Sequence, residues 1–340
     1  MIIGKEALVE EFALHRLGGE NKDNVFSDFT VTLKGEEEQD FLRRLFLKPF
    51  ANMAFTSEFT HAVGLEYNVL HGLCNGIAEG KDLLQASEAI TKHLIDVSQH
   101  HKIKGGDLFV AKLSGVQVGS AVHEAVGIYK FDEKEVFIET RTAAGGVELS
   151  LKRGFGTVRP NKACLVLFTP ESPTVFIVDD GTNTEYWQQD FIGHRPKQDH
   201  VNSTNHVLDL TRNFITQQLP QDYEIAKADQ IDLLNRSVQY FKSHDAFDKE
   251  EFTQEVFQDE RAIRSFNAFS DRFQDEHHVE LQDSFEISSH AVKRQARVFK
   301  SVLKLDKNFH IYIHGDRNRI EQGVDADGRK FYKIYYDQES

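Results

Sequence analysis

The sequence reads as an α+β fold with two domains. An N-terminal domain of antiparallel sheet plus helix covers residues 1–190, and a C-terminal domain covers 191–340, with a helical section (191–279) followed by a β-meander (280–340). Three observations support this. Short β-prone runs fill residues 107–178, apolar residues recur at helical spacing after Trp187, and short strands return after Glu280. The strands do not alternate with helices as a doubly wound parallel sheet requires, and no solenoid or propeller period repeats.

Taken in order, Leu83, Leu84, Ala86, Ile90, Leu94 and Val97 lie near helical spacing and predict an amphipathic helix over Asp82 to Val97. Sheet strands are expected at Leu108 to Leu113, Ala125 to Phe131, Val136 to Thr140, Ala163 to Phe168 and Thr174 to Val178. Val207, Leu210, Phe214, Leu233, Leu234, Val238 and Phe241 are spaced as helix faces. Between Lys242 and Glu280, eleven acids face five bases, while Phe247, Phe252, Phe257, Phe266, Phe269 and Phe273 supply apolar anchors for solvated helices. The terminal strands are Glu280 to Ile287, Ser301 to Leu305, Phe309 to His314, Ile320 to Val324 and Lys330 to Tyr336. Turns are marked by Asp306-Lys307-Asn308 and Asp325-Ala326-Asp327-Gly328.

The chain has 340 residues, 40% of them hydrophobic, which is enough for a sizeable core. Its apolar runs stop far short of the roughly 20 residues that a membrane-spanning helix needs. Met1 to Glu6 lacks the pattern of a secretory signal, so a cytoplasmic protein is expected, and Cys74 and Cys164 read as reduced core residues.

Catalytic and metal signatures are weak, and neither a cofactor nor a metal is expected. Adjacent histidines such as His100-His101 and His277-His278 do not share a face, and His310 with His314 reads as a half-exposed strand face. Asp179, Asp180 and Glu185, or Glu321, Asp325 and Asp327, offer carboxylates for a divalent ion, yet both groups sit where turns are expected. There is no nucleophile elbow, and Gly154-Phe155-Gly156 is not followed by the Lys and Ser or Thr of a phosphate-binding loop.

Charge placement is more informative. The net charge is −14, yet Ser150 to Pro170 carries Lys152, Arg153, Arg159 and Lys162 without an acid, and Ile287 to Leu305 carries Lys293, Arg294, Arg297, Lys300 and Lys304 without one. A helix over residues 289–299, started by Ser288 or Ser289, aligns Lys293, Arg297 and Lys300 on one face, a stripe suited to a phosphate backbone. Arg195 and Lys197 form a third, smaller basic site. Bases of this kind also serve simply to neutralise acidic neighbours.

Several segments carry a resemblance over essentially the whole chain: Ala13 to Leu17, Gly106 to Ala111, Phe191 to Arg195, Val279 to Phe285, Phe309 to Ile313 and Phe331 to Ile334. In their order the chain resembles the bacterial nucleoid-associated protein family of the NdpA type. The resemblance implies a bacterial cytoplasm, association with the nucleoid, and binding of nucleic acid, chiefly double-stranded DNA, without a chemical reaction. It assigns no individual DNA contacts, so the ten binding candidates rest on charge: Lys152, Arg153, Arg159, Lys162, Arg195, Lys197, Lys293, Arg294, Arg297 and Lys300. Binding is expected to be largely independent of sequence, with RNA as a further ligand. Two alternatives differ in class. One is an interaction protein whose acidic section, about residues 242–280, docks on a DNA-bound partner or mimics DNA. The other is a metal-dependent phosphodiesterase. The oligomeric state is left open.

Overall fold

The computed structural model describes residues 2–19, 23–156, 158–277, 279–296, 299, 302–313 and 319–338. The chain forms two compact units, Met1–Lys197 and Gln198–Ser340. The predicted α+β class holds: an antiparallel sheet comes first, then helices, then small hairpins.

In the first unit, β1 (Ile2–Ile3) and β2 (Leu8–Leu17) precede α1 (Glu36–Leu47), a single 3-10 turn, and β3 (Ser57–Phe59). Next come α2 (Val69–Ala78), α3 (Leu83–Val97), β4 (Gly106–Val118), β5 (Ala121–Phe131), β6 (Glu135–Ala143), β7 (Gly146–Gly154), β8 (Lys162–Leu167) and β9 (Thr174–Asp179). A π-helical turn, Tyr186–Ile192, leads to the edge strand β10 (His194–Pro196). The main sheet runs β1-β4-β5-β8-β9-β3-β10, with β2 also paired to β4. The predicted helix is present almost residue for residue, because the Asp82 carboxylate caps it by accepting from the Gln85 N–H at 2.8 Å.

The sheet is buried on both faces. Phe109, Ala111, Leu113, Tyr129 and Phe131 pack against Leu45, Phe46 and Phe50, while Leu108, Val110, Val126, Ile128 and Cys164 pack with α2, α3 and Trp187. The alternation follows from the two-residue period of a strand. It explains why these strands are near-continuous apolar runs in sequence. Among the described residues, strands β6 and β7 pair only with each other and stand apart from this sheet.

The second unit contains α4 (His200–Asn213), a π-helical turn at Phe214–Gln218, α5 (Leu219–Asp222), α6 (Lys227–Ser243), β11 (Ala246–Asp248), α7 (Lys249–Val256) and α8 (Glu260–His277). It continues with β12 (Ser284–Glu286), α9 (Ser289–Gln295), β13 (Val302–Leu305), β14 (Phe309–Tyr312), β15 (Ile320–Val324) and β16 (Lys330–Ile334). The phenylalanine seam predicted from sequence is its core: Phe247, Phe252, Phe257, Phe266 and Phe273 are buried with Phe214 and Phe285. Phe247 and Phe285 are direct cross-strand partners and stack at 4.8 Å.

The C-terminal strands differ from expectation in their pairing. Among the described residues they form separate two-stranded hairpins, β13 with β14 and β15 with β16, in place of one continuous meander. Asp306 adopts φ +51° and Gly328 φ +78° in the two turns, as hairpin chemistry requires. The strand expected over Glu280 to Ile287 shortens to β12 because its start is held elsewhere. Gln274 at the end of α8 accepts from the Leu281 N–H through Oε1 and from the Val279 N–H through its backbone carbonyl.

Candidate nucleic-acid interface

The structure separates the ten sequence candidates by exposure. Lys162 and Lys197 are corrections: they are 3% and 8% exposed, so neither presents an ammonium to a polyanion. Lys162 Nζ lies 2.5 Å from Asp179 Oδ1 and 3.2 Å from Asp180 Oδ1. Lys197 Nζ donates to the Ser172 carbonyl at 2.9 Å and to Thr174 Oγ1 at 2.8 Å. Arg195 is exposed but faces Glu58 directly across β10 and β3 and pairs with it at 2.8 Å. Lys152 pairs loosely with Glu139 at 3.6 Å on the β6–β7 ribbon. Arg153 and Arg159 are exposed.

In the second unit Ser288 caps α9, its hydroxyl accepting from the Ala291 N–H, as the sequence suggested. The helix ends at Gln295. Lys293 is exposed, whereas Arg294 is half-buried and reaches Asn205 Oδ1 at 3.5 Å. Burial lowers the Arg294 pKa, opposed by the charge of Asp209. Arg297 and Lys300, with His278 and His314, lie outside the described residues.

The carboxylates considered for a metal are engaged in local structure. Asp179 holds Lys162 and accepts from the Gly181 N–H at 2.8 Å. Asp180 accepts from Asn161 Nδ2 at 3.0 Å and from the Thr182 N–H at 2.9 Å. Burial pushes the Asp180 carboxyl up, but the hydrogen bonds from Asn161, Thr182 and Lys162 outweigh it and hold its pKa well below the usual carboxylate range. In the last hairpin Glu321 pairs with Lys333, and Asp325 and Asp327 pair with Arg329. A grouping that sequence reasoning missed is His244, Glu251 and Glu255, whose ligand atoms lie within 4.8 Å of one another.

Each unit is acidic: residues 1–197 hold 21 bases and 28 acids, leaving 19 and 26 for the rest. Any surface for a polyanion must therefore be a local cluster. Among the described residues of the first unit, two hollows gather bases. A cleft of about 570 Å³ is lined by Arg16, Lys104, Lys134 and Arg153, but also by Asp107, Asp132 and Glu133. Arg16 and Lys134 each approach Asp107 at 3.2 Å, and Lys104 pairs with Glu133 at 2.9 Å, so most of this charge is neutralised.

The second cluster is a hollow of about 390 Å³ edged by Lys5, Arg43, Arg44 and Lys48, with Asp40 its single acidic lining residue. Asp40 is taken by Arg43, which also donates to the Lys5 carbonyl. Among the described residues no carboxylate pairs with Lys5, Arg44 or Lys48, and all three are exposed. Sequence reasoning passed over this cluster although Phe41 to Ser57 holds Arg43, Arg44 and Lys48 without an acid, since α1 begins with Glu36, Glu37 and Glu38 and gathers its bases at the other end. That polarity suits the helix dipole and was the available signal.

Among the described residues no helix is long and apolar enough to cross a membrane. No curated protein matches the chain. A family model described as nucleoid-associated protein YejK matches residues 13–340, which bears out the resemblance drawn from the ordered segments. The match covers both units from within β2 to the last hairpin, and the chain belongs to this family of bacterial nucleoid-associated proteins.

Proposed function

We propose that the protein joins the nucleoid by binding the phosphate backbone of double-stranded DNA directly, without sequence preference and without catalysing a reaction. The observation that carries this reading is the hollow of Lys5, Arg43, Arg44 and Lys48, where four cations meet one carboxylate in a chain of net charge −14. Counterion release on phosphate neutralisation drives sequence-independent binding, and three exposed cations without acidic partners supply it. Arg153, Arg159 and Lys293 add exposed charge elsewhere on the chain.

A second reading has its own observation. Among the described residues, a hollow of about 800 Å³ in the second unit is lined by Asp271, Asp275 and Glu280, and by no base. Such a surface fits a basic protein partner already bound to DNA. Fluorescence anisotropy of a mixed-sequence duplex, with chelator present and across a salt series, separates the two. Direct phosphate binding gives an affinity that falls steeply with salt and is competed by RNA. No binding at low salt overturns direct contact and leaves the partner route.

A further inference from the structure

The β6–β7 ribbon is two nine-residue strands, roughly 30 Å long, whose outer edges pair with no other strand among the described residues. Register places Ile138 opposite Leu151, Thr140 opposite Leu149 and Thr142 opposite Val147, all on one face, with Val136 and Arg153 at its root. Val136 is 54% exposed, Ile138 60%, Leu149 63%, Leu151 67% and Val147 73%. The opposite face carries Glu139, Arg141, Glu148 and Lys152, and these charges satisfy one another: Arg141 binds Glu148 at 2.7 Å and Lys152 meets Glu139 at 3.6 Å. Phe137, 49% exposed, is the one large apolar side chain on that charged face, whereas the other face carries no charge between residues 138 and 151.

A lone two-stranded ribbon is at best marginally stable in water, and an apolar face of this extent marks an interaction site. From residue 138 to residue 151 that face bears no charge, which makes it a poor match for DNA phosphates or for a basic protein. A surface of the same character is supplied by a second copy of this chain. We infer that the apolar faces of two β6–β7 ribbons pack against each other about a two-fold axis and make the protein a dimer. Each face offers on the order of 500 Å² of apolar side chain, so two copies reach the roughly 1,000 Å² that a specific interface requires. A two-fold contact is self-complementary and closes at two chains. It also doubles the basic hollows carried by one particle, which strengthens DNA binding through avidity.

Sedimentation velocity of the full chain across a concentration series tests this. The wild type is expected at twice the chain mass of 38.9 kDa, and the double variant Ile138→Asp with Leu149→Asp at the chain mass, with an unchanged circular dichroism melt. Glu139→Ala, on the polar face, retains the dimer. Because Cys74 and Cys164 are buried, Thr140→Cys adds a single exposed thiol, and mild oxidant is expected to link two chains through it. A monomeric wild type at every concentration, or a dimer that survives Ile138→Asp with Leu149→Asp, overturns the inference. A dimer that forms without Thr140→Cys cross-linking overturns it equally, since the contact then lies elsewhere.

Discussion

Lys130 and Lys162 stand directly opposite each other on β5 and β8, two lysines side by side in the interior of the sheet. Each survives burial because it has its own carboxylates: Asp132 for Lys130, and Asp179 with Asp180 for Lys162. Burial lowers the Lys130 pKa, Asp132 opposes that shift, and the neighbouring Lys162 charge adds to it. The lysine that a charge count assigned to DNA is therefore part of the scaffold.

Removing Asp179 takes away the nearer of the two carboxylates that compensate buried Lys162 and leaves Asp180 alone to do so. Asp179→Ala is expected to lower the unfolding free energy by about 3–5 kcal/mol in urea titration. Pairing Asp179→Leu with Lys162→Met should restore most of that loss. A double variant no more stable than Asp179→Ala contradicts the charge-pairing account.

His15 supplies a pH dependence. Its Nδ1 accepts from the Ser27 N–H at 3.2 Å, so Nε2 carries the proton and donates to Ser87 Oγ at 2.8 Å, while Ser87 donates to the Leu84 carbonyl. Burial lowers the His15 pKa from 6.5, opposed by Glu88. Below pH 6.5 the unfolded chain takes up a proton that folded His15 resists, so stability falls as the solution is acidified. His71, His194 and His206 are lowered by burial in the same direction. His15→Gln is expected to flatten the stability-versus-pH curve below 6.5, and an unchanged slope would sink the assignment. Asp180 acts lower on the scale: its depressed pKa gives stability that is present above 3.8 and lost as pH falls through the folded value.

Gly193 links the sheet edge to the helices. It adopts φ +61°, and a Cβ there would lie 2.8 Å from Asn68 Nδ2 and 3.0 Å from the Thr60 carbonyl. Asn68 caps α2 and donates to the carbonyls of Thr60, Ile192 and Gly193. Gly193→Ala should cost about 1–3 kcal/mol of stability, measured by thermal melting with a matched urea titration. Wild-type stability would show that this junction tolerates a side chain.

What could be read in advance followed local pattern. The α3 cap, the phenylalanine seam of the second unit and the buried strands β4, β5, β8 and β9 were visible because period and turn chemistry are local properties. The basic run at Ser150 to Pro170 misled because charge in sequence does not report depth: Lys152 and Arg153 lie on the exposed ribbon, whereas Lys162 begins a buried strand and meets acids seventeen residues away. The hollow was half legible: Arg43, Arg44 and Lys48 share an acid-free run from Phe41 to Ser57, but Lys5 joins them only through the fold. The apolar face of β6–β7 was written as simple alternation, but only isolation from the main sheet turns alternation into an uncovered surface.

The most direct test of DNA binding through the basic hollow is a salt series on the triple variant Lys5→Ala, Arg44→Ala and Lys48→Ala beside wild type, read by anisotropy on several duplexes. The account predicts weaker binding on every sequence, with the slope of log affinity against log salt reduced by about 0.9 for each phosphate that the variant no longer neutralises. Equal affinity and equal slope for the two proteins would contradict it and place the nucleic-acid interface on another surface.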